Sequence, residues 1–141
     1  MPVNLVKLSV GTRDIAGLAK WQRGPRAKGP DGLPRHVTRM WPKREAELLE
    51  GGSIYWVIKG VLLCRQEIVR LDEVRRADGI PRCGIVLRPG PIPVAPRAMR
   101  PFQGWRYLSA ADAPADADPA RAAKGPLPPK LQVALAEIGV L

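Results

Sequence analysis

The middle of the chain contains a run of apolar residues with no polar face, and this run constrains the fold more than any other feature. Residues 53–63, SIYWVIKGVLL, place β-branched and aromatic side chains at both odd and even positions. These residue types favour strands. A strand that is apolar on both faces is covered on both sides. The run therefore predicts a central strand, with Gly60 marking the turn from which the chain returns.

Further strands are predicted on either side of this run. The dipeptide Asp78-Gly79 is a hairpin signal, so three neighbouring strands are expected to form an antiparallel meander: 53–59, 61–71 and 80–87. Alternating apolar residues predict three more strands, over 3–10, 35–41 and 102–108. Residues 89–101 contain five prolines, which excludes an inner strand there.

Three helices are predicted, and all of them are short. The first spans 13–23 with Thr12 as its N-cap. The second begins at Pro42, and Gly51-Gly52 ends it. The third covers 128–138, where apolar residues recur at helical spacing.

With 141 residues, the chain has the length of a single domain, expected to span 1–141. Proline- and glycine-rich composition predicts surface loops over 24–34 and 109–126. The predicted fold class is α+β, with a small, curved, mostly antiparallel sheet or partial β-barrel and short flanking helices.

The sequence has no recognisable catalytic motif, and no catalytic residue is assigned. Nucleotide-binding glycine motifs (GxGxxG, GxxxxGK[ST]) and the GxSxG elbow are absent, so no cofactor is predicted. With a single histidine, His36, and only two cysteines outside any metal-ligand spacing, no metal site is predicted.

Cys64 and Cys83 lie in apolar, strand-like segments. Two buried free thiols fit a reducing compartment, and a cross-strand disulfide stays open as an alternative. Lys7 interrupts the first apolar run, so no signal peptide is expected. No stretch approaches the roughly 20 apolar residues of a membrane span. We therefore expect a cytoplasmic protein that does not insert into membranes, and the sequence assigns no oligomeric state.

The net charge is strongly positive and unevenly distributed. The whole chain carries 23 Lys+Arg against 13 Asp+Glu, or +10. Residues 112–141 hold three basic and four acidic residues, a net −1, so residues 1–111 carry about +11. Such a charge attracts phosphates, although basic residues also serve solubility alone.

Two segments combine this charge with aromatic residues. In the first, the candidate ligand-binding residues are Arg35, His36, Arg39, Trp41, Lys43 and Arg44. In the second they are Arg100, Phe102, Trp105 and Arg106. Aromatic rings stack unpaired bases, and arginine pairs bidentately with phosphate. The alternative for each segment is that the aromatic residues belong to the core and the cations are solvated.

The blocks HVTRMWPKR (36–44), GGSIYWVIKG (51–60) and RPFQGWRYL (100–108) resemble an uncharacterised family of bacterial proteins of unknown function. The arrangement of residues 42–71 is also similar to PUA-type β-barrels, including the ASCH and EVE groups, although the ASCH signature GxKxxExR has no clean match. This second resemblance implies RNA or modified-base binding in a basic, aromatic cleft.

Three functions remain open at this point. The first is a binding module for RNA or single-stranded nucleic acid that recognises a modified or flipped base. The second is a small enzyme acting on an anionic, nucleotide-like substrate, with His36, Glu67 or Cys64 in its cleft. The third is an assembly protein whose basic face contacts a protein partner.

Overall fold

Seven strands form one curved, mixed sheet in the computed structural model, which describes residues 3–117. The strands are β1 (Val3–Leu8), β2 (Arg35–Thr38), β3 (Ser53–Ile58), β4 (Val61–Arg75), β5 (Pro81–Leu87), β6 (Ile92–Ala98) and β7 (Trp105–Ser109). Two short helices, α1 (Ile15–Arg23) and α2 (Glu45–Leu48), and a 3₁₀ turn at Pro25–Ala27 precede β3. The architecture is thus of the α+β class.

The predicted central meander is confirmed. Strands β3, β4 and β5 follow one another as antiparallel neighbours, and every residue of β3 is buried. Strand β4 is long and changes partners along its length. Its first residues pair with β3 and β6, and its later residues pair with β5 after a register shift between Ile68 and Arg70.

Strand β1 lies beside β3 and runs parallel to it, with Leu5 opposite Ile54. Parallel neighbours require a crossover connection, and here that connection contains α1, β2 and α2. Strand β7 then adds to the free side of β1 in antiparallel orientation. One parallel pair and five antiparallel pairs make the sheet mostly antiparallel, as predicted.

The strand order is β2-β5-β4-β3-β1-β7, with β6 paired to β4 off this path. Within residues 3–117 no strand ladder joins the outer strands β2 and β7. The chain that follows β2 nevertheless reaches β7. The Trp105 indole Nε1 donates to the carbonyl of Met40 at 3.1 Å, and the backbone N of Arg44 donates to the Tyr107 hydroxyl at 3.1 Å.

Several predicted boundaries need correction. β1 ends at Leu8 rather than at residue 10, α2 begins at Glu45 rather than at residue 42, and β7 begins at Trp105 rather than at residue 102.

The N-cap of α1 is Asp14 rather than Thr12, because the Asp14 carboxylate accepts from the backbone N of Gly17 at 2.7 Å. The Thr12 hydroxyl instead bonds that of Ser9. Strand β2 ends at Thr38 rather than at residue 41, because the chain leaves β5 there to cross toward β7.

The proline-rich stretch forms β6, which pairs with β4 on one side and makes a single bridge, Val94 to Asp116, on the other. This placement at the margin agrees with its exclusion from the inner sheet. Residues 109–117 continue beyond β7 mostly exposed. The predicted helix 128–138 and the rest of the loop 109–126 lie outside the described residues.

Side chains of β3 alternate between two apolar clusters, one on each face of the sheet. Trp56 belongs to the cluster that packs under both helices, through Leu18 of α1 and Leu48 of α2. Tyr55 belongs to the opposite cluster, together with Leu108 of β7. This double coverage explains why 53–63 has no polar face.

Candidate functional site

A cavity of about 680 Å³ lies between α1 and the helix-covered face of the sheet, and we call it the α1 cavity. Its walls come from the connection between β1 and α1, from α1 itself, from the start of β2 and from Trp56 of β3. The volume is in the range of roughly 300–1,000 Å³ that is usual for small-molecule sites.

His36 is the titratable group at the inner wall of the α1 cavity. Its ring meets Trp56 edge to face, with centroids 5.6 Å apart. Burial, reinforced by the charge of Lys7, lowers the pKa of His36 to about 4, so the imidazole is neutral at pH 7. Its Nε2 atom is buried and has no hydrogen-bond partner among the described residues.

Three cations line the same cavity: Lys7, Arg13 and Arg35. None of them forms an ion pair with a carboxylate in the described part of the chain. Lys7 stands in register with Trp56 on one side and Trp105 on the other, and partial burial lowers its pKa. The cavity is therefore an electropositive space with an apolar, aromatic wall.

A buried amide pair fixes α1 to the sheet next to this wall. Gln22 of α1 and Gln66 of β4 exchange two hydrogen bonds, at 2.6 and 2.7 Å. The Gln66 carbonyl also accepts from Trp56 Nε1 at 2.9 Å, which sets the orientation of the indole. Buried, fully satisfied polar groups of this kind specify one arrangement of the surrounding core.

A second cluster, which we call the Trp41 surface, consists of residues 40–44 and Tyr107. Trp41 is 39% exposed, and its Nε1 donates to Glu45 at 2.9 Å. The Arg44 guanidinium lies 5.3 Å from the centre of the Tyr107 ring and also pairs with Glu47. The structure thus brings the first predicted segment into contact with β7 of the second.

The predicted residues of the second segment separate onto the two faces. Trp105 is 7% exposed and belongs to the helix-covered core, so the core alternative describes it. Arg106 lies on the opposite face, in register with Val6, with its guanidinium 4.7 Å from the ring centre of Phe102. Arg100 is exposed next to this pair in sequence.

The predicted residues of the first segment also divide. Arg35 and His36 line the α1 cavity, whereas Trp41, Lys43 and Arg44 are exposed. Arg39 is exposed too. The hydrogen bond from Arg82 is the main cause that lowers the pKa of Asp78 on the β4–β5 turn, and the charge of Arg39 adds to it.

Four basic or aromatic residues of the α1 cavity were missed by sequence reasoning: Lys7, Arg13, Trp21 and Trp56. One signal was available for Trp21, which stands at the edge of the apolar face of the α1 sequence and is 54% exposed at the cavity. Lys7 carried another signal, as a lone cation within an apolar strand.

The remaining chemistry-bearing groups lie away from this cavity. Cys64 and Cys83 are free and buried, and burial raises the pKa of each thiol to about 12. Glu67 pairs with Arg88 and borders a shallower depression of about 410 Å³. Among residues 3–117 no group of three or more His, Cys, Asp or Glu side chains could hold a metal ion.

Cations are paired with carboxylates in one region of the described chain and left without such partners in another. The basic segment, residues 7–43, contains nine lysines and arginines, and none pairs with a carboxylate of the described residues. Its own two carboxylates are engaged, since Asp14 caps α1 and Asp31 pairs with Arg70. The acid-paired hairpin, residues 65–88, contains six arginines, and five of them are in ion pairs.

No helix of the described residues is long and apolar enough to cross a membrane. Comparison with curated proteins and with solved structures finds no match. A family model described as "Protein of unknown function (DUF1489)" matches residues 5–141. The match covers almost the whole chain and agrees with the resemblance carried by the three sequence blocks. The chain belongs to the DUF1489 family, whose function is not established.

Proposed function

We propose that this protein binds single-stranded nucleic acid, with RNA as the first candidate, along the surface that carries the basic segment. One observation carries the proposal: nine cations between residues 7 and 43 have no carboxylate partner in the described structure. Cations that are not neutralised internally are available to phosphates. Binding a polyanion releases its condensed counterions, which favours association.

Exposed aromatic rings support a single-stranded ligand over a duplex. Trp21, Trp41 and Tyr107 are 54%, 39% and 36% exposed, and all three lie beside the basic segment or within it. Only unpaired bases can stack on such rings, and each stacked base contributes about 1–3 kcal/mol. Trp105 is buried and takes no part in this stacking.

Phosphate contacts in this proposal come from Arg35, Arg39 and Lys43, and from Arg44, which would exchange Glu47 for a phosphate. The Arg44 side chain already lies against Tyr107, so a phosphate at Arg44 would place a neighbouring base near that ring. Arg100 and Arg106 would engage a strand only where it continues around β7 to the other face.

We also propose that the sheet closes in a barrel-like way and that the protein is cytoplasmic. The two hydrogen bonds that join residues 40–44 to β7 support closure between the outer strands. The free, buried thiols of Cys64 and Cys83 support a reducing compartment.

The enzyme alternative has one supporting observation, because His36 lines the α1 cavity as that alternative requires. A pKa of about 4 makes this histidine a weak base at pH 7. The described lining residues include one carboxylate, Asp14, which is engaged as the helix cap. Turnover of nucleotides by the wild type and its loss in His36→Phe would establish the enzyme.

Fluorescence anisotropy with labelled single-stranded RNA, single-stranded DNA and duplex DNA tests the proposal. We expect the single strands to bind more tightly and log affinity to fall with log salt by about 0.7 per phosphate contact. Trp41→Ala should weaken binding about tenfold through loss of one stacked base. Ile80→Ala, which removes an exposed apolar side chain from the acid-paired hairpin, should leave binding unchanged.

Undetectable binding of every oligonucleotide at low salt would exclude the proposal. A protein partner on the basic face is the other outcome to separate. Capture from a nuclease-treated lysate distinguishes the two, because a direct protein contact survives nuclease treatment and a contact through RNA does not.

A further inference from the structure

His36, which lines the α1 cavity, carries one buried hydrogen-bonding atom that no described protein group satisfies. Within the described residues, His36 Nε2 is enclosed and unpartnered, although its ring is held against Trp56. Leaving a buried polar nitrogen unpaired costs about 1–3 kcal/mol. A ligand that displaces the groups enclosing Nε2 and brings a polar atom to it would recover that energy, so the wall at His36 favours a polar edge over a purely apolar group.

The walls around His36 are mainly apolar and aromatic. Leu8, Leu18 and Leu87 line the cavity together with Trp56, and Trp56 Nε1 is already committed to Gln66. A flat heteroaromatic ring matches these walls, because it brings apolar faces and a polar edge in one group.

Positive charge is available in the same cavity but not from the imidazole. Lys7, Arg13 and Arg35 are lining residues without a carboxylate partner in the described structure. His36 stays neutral at pH 7 because burial lowers its pKa. The guanidinium groups are therefore suited to a phosphate, and the neutral imidazole is suited to hydrogen-bonding a base.

We propose that the α1 cavity binds one nucleotide unit, with its base at His36 Nε2 and Trp56 and its phosphate at Arg13 and Arg35. This inference deepens the proposed function, since a bound strand would supply the nucleotide. A free nucleoside monophosphate has the same chemistry and is the other source. The site differs from the Trp41 surface, where bases would stack on exposed rings without being enclosed.

Calorimetric titration of the full chain with AMP, GMP, CMP and UMP tests the inference, with inorganic phosphate and unphosphorylated nucleosides as comparison ligands. We expect saturable binding of at least one monophosphate and weaker binding of its nucleoside. His36→Phe should lower affinity for the preferred monophosphate about tenfold, the loss expected for one hydrogen bond to a buried group. The same variant should leave the weak affinity for inorganic phosphate unchanged.

Arg75→Ser/Arg76→Ser serves as the matched control for Arg13→Ser/Arg35→Ser, because each pair removes two charges. The cavity pair should lose monophosphate binding, and the hairpin pair should retain it. If His36→Phe fails to fold, the tryptophan indole NH resonances of the wild type provide a second readout. The Trp56 signal should shift with a monophosphate and stay in place with inorganic phosphate.

Two outcomes would overturn the inference: no monophosphate binding at millimolar concentrations, or binding that neither His36→Phe nor Arg13→Ser/Arg35→Ser weakens. Neither outcome bears on the binding of single-stranded nucleic acid to the basic segment, which the oligonucleotide titrations measure separately. Monophosphate binding without any strand binding would instead exclude the proposed function and identify the free nucleotide as the ligand.

Discussion

Five of the six arginines of the acid-paired hairpin are held by carboxylates, whereas the lysines and arginines of the basic segment have no such partners among the described residues. In the hairpin, Arg70 contacts both Asp31 and Asp72, and Arg82 pairs with Asp78. In the basic segment, the Asp14 carboxylate accepts a hydrogen bond from the backbone of α1, and Asp31 pairs with Arg70 of the hairpin. The same residue type therefore neutralises acidic side chains in one region and leaves a positive surface in the other.

This contrast teaches that net charge alone does not locate a binding surface. Both regions are rich in basic residues, and they differ in whether those residues form ion pairs with carboxylates of the protein. The phosphates of a nucleic acid would have to displace carboxylates from the arginines of the hairpin, but not from the cations of the basic segment. The following predictions test that distinction.

The largest expected effect is on affinity for single-stranded RNA. Arg35→Ser/Arg39→Ser/Lys43→Ser removes three cations of the basic segment that are assigned to phosphates and lack carboxylate partners in the described structure. At 0.1 M salt each single-strand phosphate contact contributes about fivefold, so affinity should fall on the order of 100-fold. Fluorescence anisotropy measures the change. Arg75→Ser/Arg82→Ser/Arg88→Ser removes the same charge from paired arginines of the hairpin and should have little effect. Equal losses of affinity in both variants would contradict the distinction between the two regions.

A second prediction concerns how the basic segment is attached to the sheet. Gln66→Leu leaves Trp56 Nε1 and the Gln22 amide without their acceptor, so the free energy of unfolding should drop by about 2 kcal/mol. Urea denaturation measures this loss at low and at high salt. It should be the same in both, because neutral hydrogen bonds are not screened. A loss that shrinks with salt would show that charge, rather than the amide pair, holds α1.

The third prediction is a pH dependence from His36. The unfolded chain binds a proton on this residue below a pKa of about 6.5, whereas the native pKa is about 4. Native stability should therefore fall as the pH drops through this window, by about 1 kcal/mol between pH 6 and pH 5. Thermal or urea denaturation of the wild type and His36→Phe gives the difference. Parallel curves for the two proteins would mean that His36 charges in the native state.

The smallest expected effect comes from releasing hairpin arginines. Glu67→Gln/Glu73→Gln removes the exposed partners of Arg88 and Arg75. Exposed pairs contribute little to stability, so the Tm should barely change. Affinity for RNA should rise by at most about fivefold for each released cation that reaches a phosphate. Weaker binding than wild type would contradict the electrostatic account, because it would follow the removal of two negative charges.

The central part of the fold could be predicted because the signal is local. Residues 53–63 are apolar on both faces, and β3 is buried throughout between β1 and β4. Turn residues fixed the meander in the same way. Thr12 and Asp14 show the limit of such signals, because both residue types cap helices and only the folded geometry selects Asp14.

The α1 cavity could not be predicted because its residues come from distant parts of the sequence. Lys7, Arg13, His36 and Trp56 meet only after β1 pairs with β3 and α1 packs across them. Trp41 and Trp105 pose a similar problem. Each lies in a segment that contains several basic residues. Pairing of β7 with β1 in register with Lys7 places Trp105 in the core, whereas Trp41 is exposed.

The position of β1 has a consequence for folding during synthesis. Its two neighbours, β3 and β7, lie about 45 and 100 residues later in the chain. β1 therefore leaves the ribosome long before either neighbour has been synthesised. Until then, the apolar residues Val3, Leu5 and Val6 remain exposed to solvent. The local meander of β3, β4 and β5 can assemble first, because contacts close in sequence form faster. We expect the sheet of the nascent chain to remain incompletely folded until β7 emerges from the ribosome.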